Sequence, residues 1–285
     1  MSALRFGVST TAFRGRSLDE AVVAAVEHQF TLEFSSGLPF EPGLREKYLT
    51  APCSRLPHNY FPAPAEPFVL NLASADPKIL SLSQRHCEQG LALAAESGAG
   101  FYSVHAGFCV DAAPEDLGRQ LAAPIVRARE EHWRIFLDSV RLLTAHARAL
   151  GVSLLIENNV LSALNLRSNR VNPVLCADPA EIGALIDAMA SPAFGILLDT
   201  GHWKVTSATL GFPLLPVLAG YELHVRAVHH SDNNGVTDDN RELGAAYWFL
   251  PEMPRFAHAL HVLEVNDQPI RSILRQRSLL SRSLS

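Results

Sequence analysis

The chain has 285 residues, of which 48% are hydrophobic, and its formal net charge is -5. This length lies within the range of one (β/α)8 barrel, and the apolar content is sufficient for a large core. The mild acidity excludes a protein whose whole surface is basic, so nucleic acid is not an expected partner.

Cysteine usage and hydropathy place the chain in a reducing, aqueous compartment. The four cysteines are far apart and form no CxxC pair, which favours reduced thiols over disulfides or a thiolate zinc site. The first ten residues lack the pattern of a signal peptide, and no run of about 20 apolar residues occurs. We therefore expect a cytoplasmic protein that does not cross a membrane.

Short strand-like runs alternate with longer helical runs, which is typical of a parallel sheet covered by helices. The predicted strands are Leu4–Ser9, Thr31–Ser35, Arg55–Tyr60, Phe101–His105, Ser153–Glu157, Phe194–Asp199, Val225–His229 and His261–Val265. The predicted helices are Leu18–Glu27, Pro42–Leu49, Pro77–Glu96, Pro124–Leu150, Pro179–Ala190 and Pro269–Leu280. After the sixth strand, Gly201 is expected to turn the backbone sharply. The pattern predicts one α/β domain over residues 1–285, a single (β/α)8 TIM barrel.

Acids and histidines stand near the ends of seven of these strands. They are Glu33, His58, His105, Glu157, Asp199 with His202, His229 with Asp232, and Glu264. A barrel brings the C-terminal ends of all its strands around one mouth, where several carboxylates repel each other unless a cation is present. A mixed set of histidines and carboxylates suits zinc, manganese, cobalt or iron better than calcium. The sequence therefore predicts a divalent-metal site.

Four strand-end motifs carry a resemblance to a known family. They are LLIEN with Glu157, LLDTGH with Asp199 and His202, VHHSDNNG with His229, and HVLEV with Glu264. Over nearly its whole length the chain resembles the xylose-isomerase-like TIM barrel superfamily, which contains sugar isomerases and epimerases together with type IV AP endonucleases (AP endonuclease family 2).

The resemblance implies that one divalent ion is held by Glu157, Asp199, His229 and Glu264. It also implies that Glu157 and Glu264 are catalytic and exchange a proton on the substrate carbon between them. His229 is expected to be the ligand rather than His230, because strand alternation turns His230 outward.

The chemistry that such a site supports is proton transfer next to a carbonyl. A metal polarises a carbonyl and its neighbouring hydroxyl, and a carboxylate then removes the proton from the carbon between them to give a metal-stabilised enediolate. Two opposed carboxylates permit inversion, whereas one permits shuttling between C1 and C2, so isomerase and epimerase both stay open. A small-molecule sugar is the expected partner, and no nucleotide cofactor is expected.

The middle of the chain resembles the endonuclease branch, through RLPHNY, VLNLAS, RHCEQGLALA and SVHAG. That match implies that His58 and His105 hold a second zinc bridged by Glu157, and that His202 and Asp238 contribute to a third. The third site departs from the family pattern, because Asp238 is followed at the next-but-one position by Asn240 where the family has histidine. A zinc-dependent phosphodiesterase is therefore the alternative function, and His58 and His105 otherwise line a sugar pocket.

Several further residues are candidates for substrate binding by their position. Asn59 and Asn158 would bind hydroxyls, Trp203 would stack on a sugar or simply pack, and Asp232 would serve either a second metal or the substrate. Lys204, with Arg167 and Arg170, would bind anionic groups or remain solvated. Assembly into a homo-oligomer stays open, as does a barrel that binds sugar without turnover, although the complete ligand set disfavours the latter.

Overall fold

The structure is a computed structural model that describes residues 4–116, 118–167 and 170–284. Its strands are β1 Phe6–Ser9, β2 Thr31–Phe34, β3 Arg55–Pro57, β4 Phe101–His105, β5 Ser153–Glu157, β6 Phe194–Asp199, β7 Val225–His230 and β8 Leu260–Leu263. Its α-helices are α1 Leu18–His28, α2 Leu44–Thr50, α3 Pro77–Ser97, α4 Arg129–Ala149, α5 Pro179–Met189, α6 Thr200–Leu210 and α7 Ile270–Arg282. Within the described residues, no helix is both long enough and apolar enough to cross a lipid bilayer.

The eight strands form one parallel sheet in the order β3-β2-β1-β8-β7-β6-β5-β4. The remaining seam lies between β3 and β4, where His58 and Ser103 form a single parallel bridge. The backbone N–H of Asn59 donates to the Ser103 carbonyl at 2.7 Å across the same seam. The sheet is thus a nearly closed barrel, and the predicted (β/α)8 TIM fold is confirmed.

Local sequence signals fix most of the helix ends. Ser17 and Glu20 form a reciprocal capping box at the start of α1. Asp76 and Asp178 cap α3 and α5, and in both helices a proline occupies the first turn. The strands carry apolar residues on both faces because the barrel interior covers one face and the helices cover the other.

The longest predicted helix, Pro124–Leu150, is wrong at its start, because α4 begins at Arg129. The Arg129 guanidinium donates to the carbonyls of Asn172 and Val174 at 2.6 and 2.8 Å and to Glu181 at 2.6 Å. These bonds tie the first turn of α4 to the loop between β5 and α5. The residues before Arg129 belong to the loop on the barrel mouth instead of to the helix.

The expected sharp turn at Gly201 is also wrong, because α6 begins directly after β6 with Asp199 as its N-cap. Gly201 lies in the first helical turn. A Cβ there would stand 2.4 Å from the Ser231 hydroxyl and 2.9 Å from the Asp238 carboxylate, so glycine is needed for close packing against the loop after β7.

Behind β7, two buried histidines form a polar network in the layer between strands and helices. His230 contacts the Tyr247 hydroxyl and the His261 ring at 2.9 Å each, and His261 Nε2 lies 3.1 Å from the Phe256 carbonyl. His230 therefore points away from the barrel axis, as strand alternation predicts. Burial lowers the pKa of His230 well below its usual range and lowers the pKa of His261 to about 4.

We predict that His261 makes the protein less stable as the pH falls from about 6.5 toward 4. Between these pH values the unfolded chain binds a proton at His261 that the folded chain does not bind. The contribution of neutral His261 to the free energy of unfolding is therefore fully present above pH 6.5 and is lost as the pH falls. The slope is about 1.4 kcal/mol per pH unit for one such group. Urea unfolding at pH 7, 6 and 5 measures the slope.

The matched variants for this prediction are His261→Gln and His224→Gln. His261→Gln should flatten the dependence of unfolding free energy on pH by about one protonation. His224→Gln changes an exposed imidazole outside the buried network and is the control. An equal slope in the wild type and His261→Gln would contradict the prediction.

Candidate metal centre

Four strand ends bring one acid or imidazole each to a common point at the barrel mouth. Glu157, Asp199, His229 and Glu264 each offer a ligand atom, and these four atoms lie within 4.8 Å of one another. His229 Nδ1 is 2.7 Å from a Glu264 oxygen, 3.6 Å from a Glu157 oxygen and 3.8 Å from an Asp199 oxygen. The parallel topology explains this convergence, because Glu157 and Asp199 end β5 and β6, His229 is the last residue but one of β7, and Glu264 follows β8.

The free atoms of this group fit a divalent cation. Both Glu157 oxygens, one Asp199 oxygen and His229 Nδ1 are buried without a hydrogen-bond partner. The 2.7 Å approach of Glu264 to His229 also lacks the alignment of a hydrogen bond. Unpartnered buried acceptors are costly, and a cation at their common point would satisfy them together. An imidazole with carboxylates is a donor set that divalent transition metals accept.

Glu33 holds the His229 ring in place from behind. Glu33, on β2, places a carboxylate oxygen 2.9 Å from His229 Nε2, and both side chains are fully buried. This contact leaves Nδ1 of the ring facing Glu157 and Glu264. The sequence pattern places Glu33 at a strand end, but its link to His229 joins residues 196 positions apart and carries no local signal. We assign Glu33 an orienting role.

Asn158 and His202 restrain Asp199 through hydrogen bonds. The Asn158 side-chain amide accepts from the Asp199 backbone N–H at 2.7 Å and donates to the Asp199 carbonyl at 3.1 Å. The His202 backbone N–H donates to the Asp199 carboxylate at 2.8 Å. The Asn158 side chain is thus bonded to the backbone of Asp199. The sequence had predicted that it binds a substrate hydroxyl.

A second group of potential ligands shares Glu157. His58 and His105 each place Nε2 3.4 Å from one Glu157 oxygen, whereas His229 Nδ1 lies 3.6 Å from the other. The His58 ring also contacts the His229 ring, with 5.0 Å between their centroids. The Ser103 hydroxyl lies 2.9 Å from His58 Nδ1 and fixes that ring. Glu157 therefore stands between the four-residue group and a pair of histidines.

A third arrangement, between His202 and Asp238, has fewer potential ligands. His202 Nε2 lies 3.1 Å from the Asp238 carboxylate, and His202 Nδ1 lies 2.8 Å from the Asn158 carbonyl. Within residues 4–116, 118–167 and 170–284, these two residues do not join a group of three or more potential metal ligands. This agrees with the loss of a histidine at Asn240.

The charges of the site compensate one another. Burial, with the nearby charges of Asp238 and Glu157, raises the pKa of Asp199 to about 8. Burial also opposes ionisation of Glu264, but the charge of His229 outweighs it and lowers the pKa of Glu264 to about 2. Burial disfavours the charged form of His229 too, yet Glu33 and Glu264 hold its pKa well above the usual range. Protons on Asp199 and His229 therefore reduce the net negative charge of this group.

Burial and neighbouring charges also oppose each other at Glu157 and His105, but with different results for the two pKa values. Burial opposes ionisation of Glu157, but the charges of His105, His58 and His229 hold its pKa well below the usual range. Burial dominates at His105 and lowers its pKa despite the neighbouring Glu157. Glu157 and Glu264 are therefore the carboxylates that stay ionised at neutral pH.

Three other sequence candidates lie outside these groups. Lys204 Nζ contacts Asp232 and the Asn233 carbonyl at 2.6 Å each, so the Lys204 and Asp232 charges satisfy each other. Trp203 is 1% exposed in the hydrophobic core, and its ring N–H donates to the Leu214 carbonyl at 3.1 Å. The structure therefore does not bring Lys204, Asp232 or Trp203 into the groups of potential metal ligands around Glu157.

The two arginine candidates bond to backbone, whereas Asn59 faces the site. Arg167 donates to the carbonyls of Leu121 and Ala123, and Arg170 donates to a carbonyl of α6. Asn59, beside His105 on the wall of a cavity, has a buried side-chain oxygen without a partner. The Asn59 amide nitrogen donates to the Ser36 hydroxyl at 3.0 Å, so its oxygen is the atom that can accept from a ligand.

Comparison with known proteins identifies a family and a set of similar folds. Residues 44–267 match the profile of a family described as "Xylose isomerase-like TIM barrel". Comparison with curated proteins finds no significant match. A D-tagatose 3-epimerase-like protein superposes with a TM-score of 0.72 at 18% identity, covering 99% of this chain and 97% of that chain.

Two further solved structures have the same fold. The 3-keto-D-glucoside 4-epimerase from E. coli has a TM-score of 0.65 at 15% identity, over 98% of both chains. A protein from Thermus thermophilus, whose crystal was soaked with ZnCl2, has a TM-score of 0.62 at 22% identity, over 97% of this chain and 98% of that chain. At these identities the likeness shows the fold.

We predict that Glu33→Gln weakens metal binding by roughly 10–100-fold, because an amide holds the His229 ring less firmly and makes it less basic than a carboxylate does. Competition between the protein and a chromogenic chelator for Mn²⁺ or Zn²⁺ at fixed pH measures the affinity. Glu41→Gln, an exposed acid near Lys47, is the matched control. Equal affinities in the wild type and Glu33→Gln would disprove the orienting role.

Proposed function

Because the chain belongs to the xylose isomerase-like TIM barrel family, we propose that it is a divalent-metal-dependent isomerase or epimerase of a sugar or sugar derivative. The observation that supports this most is the group of Glu157, Asp199, His229 and Glu264, whose free atoms converge at the barrel mouth. Structural neighbours named as sugar epimerases, including a D-psicose 3-epimerase with D-tagatose, support the substrate class.

The proposed mechanism assigns proton transfer to two glutamates. A divalent cation held by the four-residue group would polarise the substrate carbonyl and its neighbouring hydroxyl, which acidifies the carbon between them. Glu157 and Glu264 act as bases because the charges around them keep both ionised. The carbon is inverted if the opposite glutamate, after taking up a proton from solvent, protonates the other face while the first glutamate keeps the proton it removed. Aldose and ketose interconvert if the first glutamate returns its proton to the neighbouring carbon and the hydroxyl proton moves to the former carbonyl oxygen.

Other side chains bind and orient the sugar in this proposal. The unpartnered oxygen of Asn59 accepts a hydrogen bond from a sugar hydroxyl, and His105 and Asp238 line the same cavity. Burial of Glu157 and His229 keeps bulk water from the reacting carbon and strengthens the electrostatic interactions there.

We predict that the protein loaded with Mn²⁺ or Co²⁺ incorporates solvent deuterium into one or more members of a panel of ketoses and aldoses in D2O. Glu157→Gln and Glu264→Gln should each lower the exchange rate by roughly 10²–10⁴-fold, because each removes a base. Glu46→Gln changes an exposed acid and is the control. Metal content is measured in every variant, and absence of exchange across the panel with fully loaded wild type would refute the proposal.

A zinc-dependent phosphodiesterase of the type IV AP endonuclease kind is the second candidate. It is favoured by His58 and His105, which could join Glu157 in holding a second ion. Against it stands the incomplete pair of His202 and Asp238.

Metal content and nicking activity separate the two candidates. For the sugar reaction we expect about one tightly bound equivalent of metal per chain by elemental analysis, and no nicking of an abasic DNA duplex in the presence of Zn²⁺. Two or three equivalents together with nicking would replace the isomerase proposal with the phosphodiesterase.

A further inference from the structure

A cavity of about 470 Å³ opens beside the group of Glu157, Asp199, His229 and Glu264, and its lining combines polar with apolar side chains. The end next to the group presents Asn59, His105 and Asp238. The larger part of the lining is apolar, and we call its five side chains the apolar end: Phe108, Leu121, Leu164 and Val174 on the loops after β4 and β5, and Val236 on the loop after β7. Arg119 and Asn165 line the same cavity. The volume lies in the range of sites that hold ligands larger than a single sugar ring.

The polar end is suited to hydroxyl groups. The side-chain oxygen of Asn59 is buried without a hydrogen-bond partner, and Asn59 lines the cavity together with Asp238. The Asn59 oxygen is an acceptor, so a ligand that bonds to it must donate. The side chain of His105 is 28% exposed and lies between the cavity and Glu157.

The apolar end is held in place by contacts between two loops. The loop after β4 pairs with the loop after β5 through an antiparallel bridge between Phe108 and Val174. Val174 and Leu121 belong to a small hydrophobic cluster that is separate from the barrel core. Leu164 and Val236 line the cavity yet are each 60% exposed. A ligand in the cavity would cover these two exposed apolar side chains and remove them from water.

We propose that the substrate is a glycoside or related sugar derivative with an aromatic or alkyl substituent, which occupies the apolar end while the sugar lies at the polar end. This inference rests on the proposed function for the position of the sugar. A free sugar has hydroxyls on most of its edge and gains little from contact with Leu164 or Val236. An apolar substituent buries that wall and is stabilised by its removal from water.

Matched methyl and phenyl glycosides test the proposal. Calorimetry or competition with the metal-loaded protein compares the two glycosides of each of several common sugars. Burial of a phenyl ring predicts that the phenyl glycoside binds roughly 10–100-fold more tightly than the methyl glycoside for at least one sugar. Equal affinities in every pair, or no binding of any phenyl glycoside, would overturn the proposal.

Variants locate the effect in the apolar end. The double variant Leu164→Asp and Val236→Asp should bring the ratio of phenyl to methyl affinity close to one, and substitution of exposed side chains spares the core. Leu223→Asp is the control, because Leu223 is 83% exposed just before β7, at the opposite end of the barrel. A ratio that the double variant leaves unchanged would place the phenyl group elsewhere and overturn the assignment.

Binding and exchange measurements keep this inference separate from the proposed function. A phenyl preference that the double variant abolishes, without deuterium exchange in any sugar, would support the apolar subsite and refute the isomerase. Exchange into free sugars without a phenyl preference would support the isomerase and refute the apolar subsite.

Discussion

The mutual repulsion of buried acids is the constraint on which this structure depends. Glu157, Asp199 and Glu264 meet at one end of the barrel with almost no access to water. Such a group persists only where positive charge is supplied nearby. His229 provides part of it, and the start of α6 provides more, because its N-terminal amide bonds Asp199 and its dipole points the positive end at the site.

Position and specificity come from different layers of the fold. The barrel strands set the places of the acids and imidazoles, and Asn158 and Glu33 restrain them from behind. The loops after β4 and β5 pack on each other in a cluster of their own and form the far wall of the cavity. Chemistry on rigid strand ends and recognition on loops is a division that this fold uses widely.

The sequence was sufficient to predict the barrel and the convergence of its strand ends, because apolar runs that stop at an acid or histidine have one arrangement in a closed parallel sheet. It was not sufficient for side chains whose partners lie far along the chain. Lys204 and Asp232 form an ion pair, and no sequence pattern near either residue indicates that pairing. Helix α6 was missed because Val205, Thr206 and other poor helix formers lie where Asp199 and tertiary packing impose the helix. Trp203 was ambiguous because stacking and packing use the same surface.

The seam of the barrel crosses the candidate site. Strands β3 and β4 meet at one bridge, between His58 and Ser103, and His105 ends the strand on the far side. Glu157 contacts both imidazoles, so one carboxylate spans the weakest joint of the sheet. Whatever binds these three side chains together also resists separation of the two strands. We therefore expect the barrel to be more rigid when a ligand is bound at these three side chains than when none is bound.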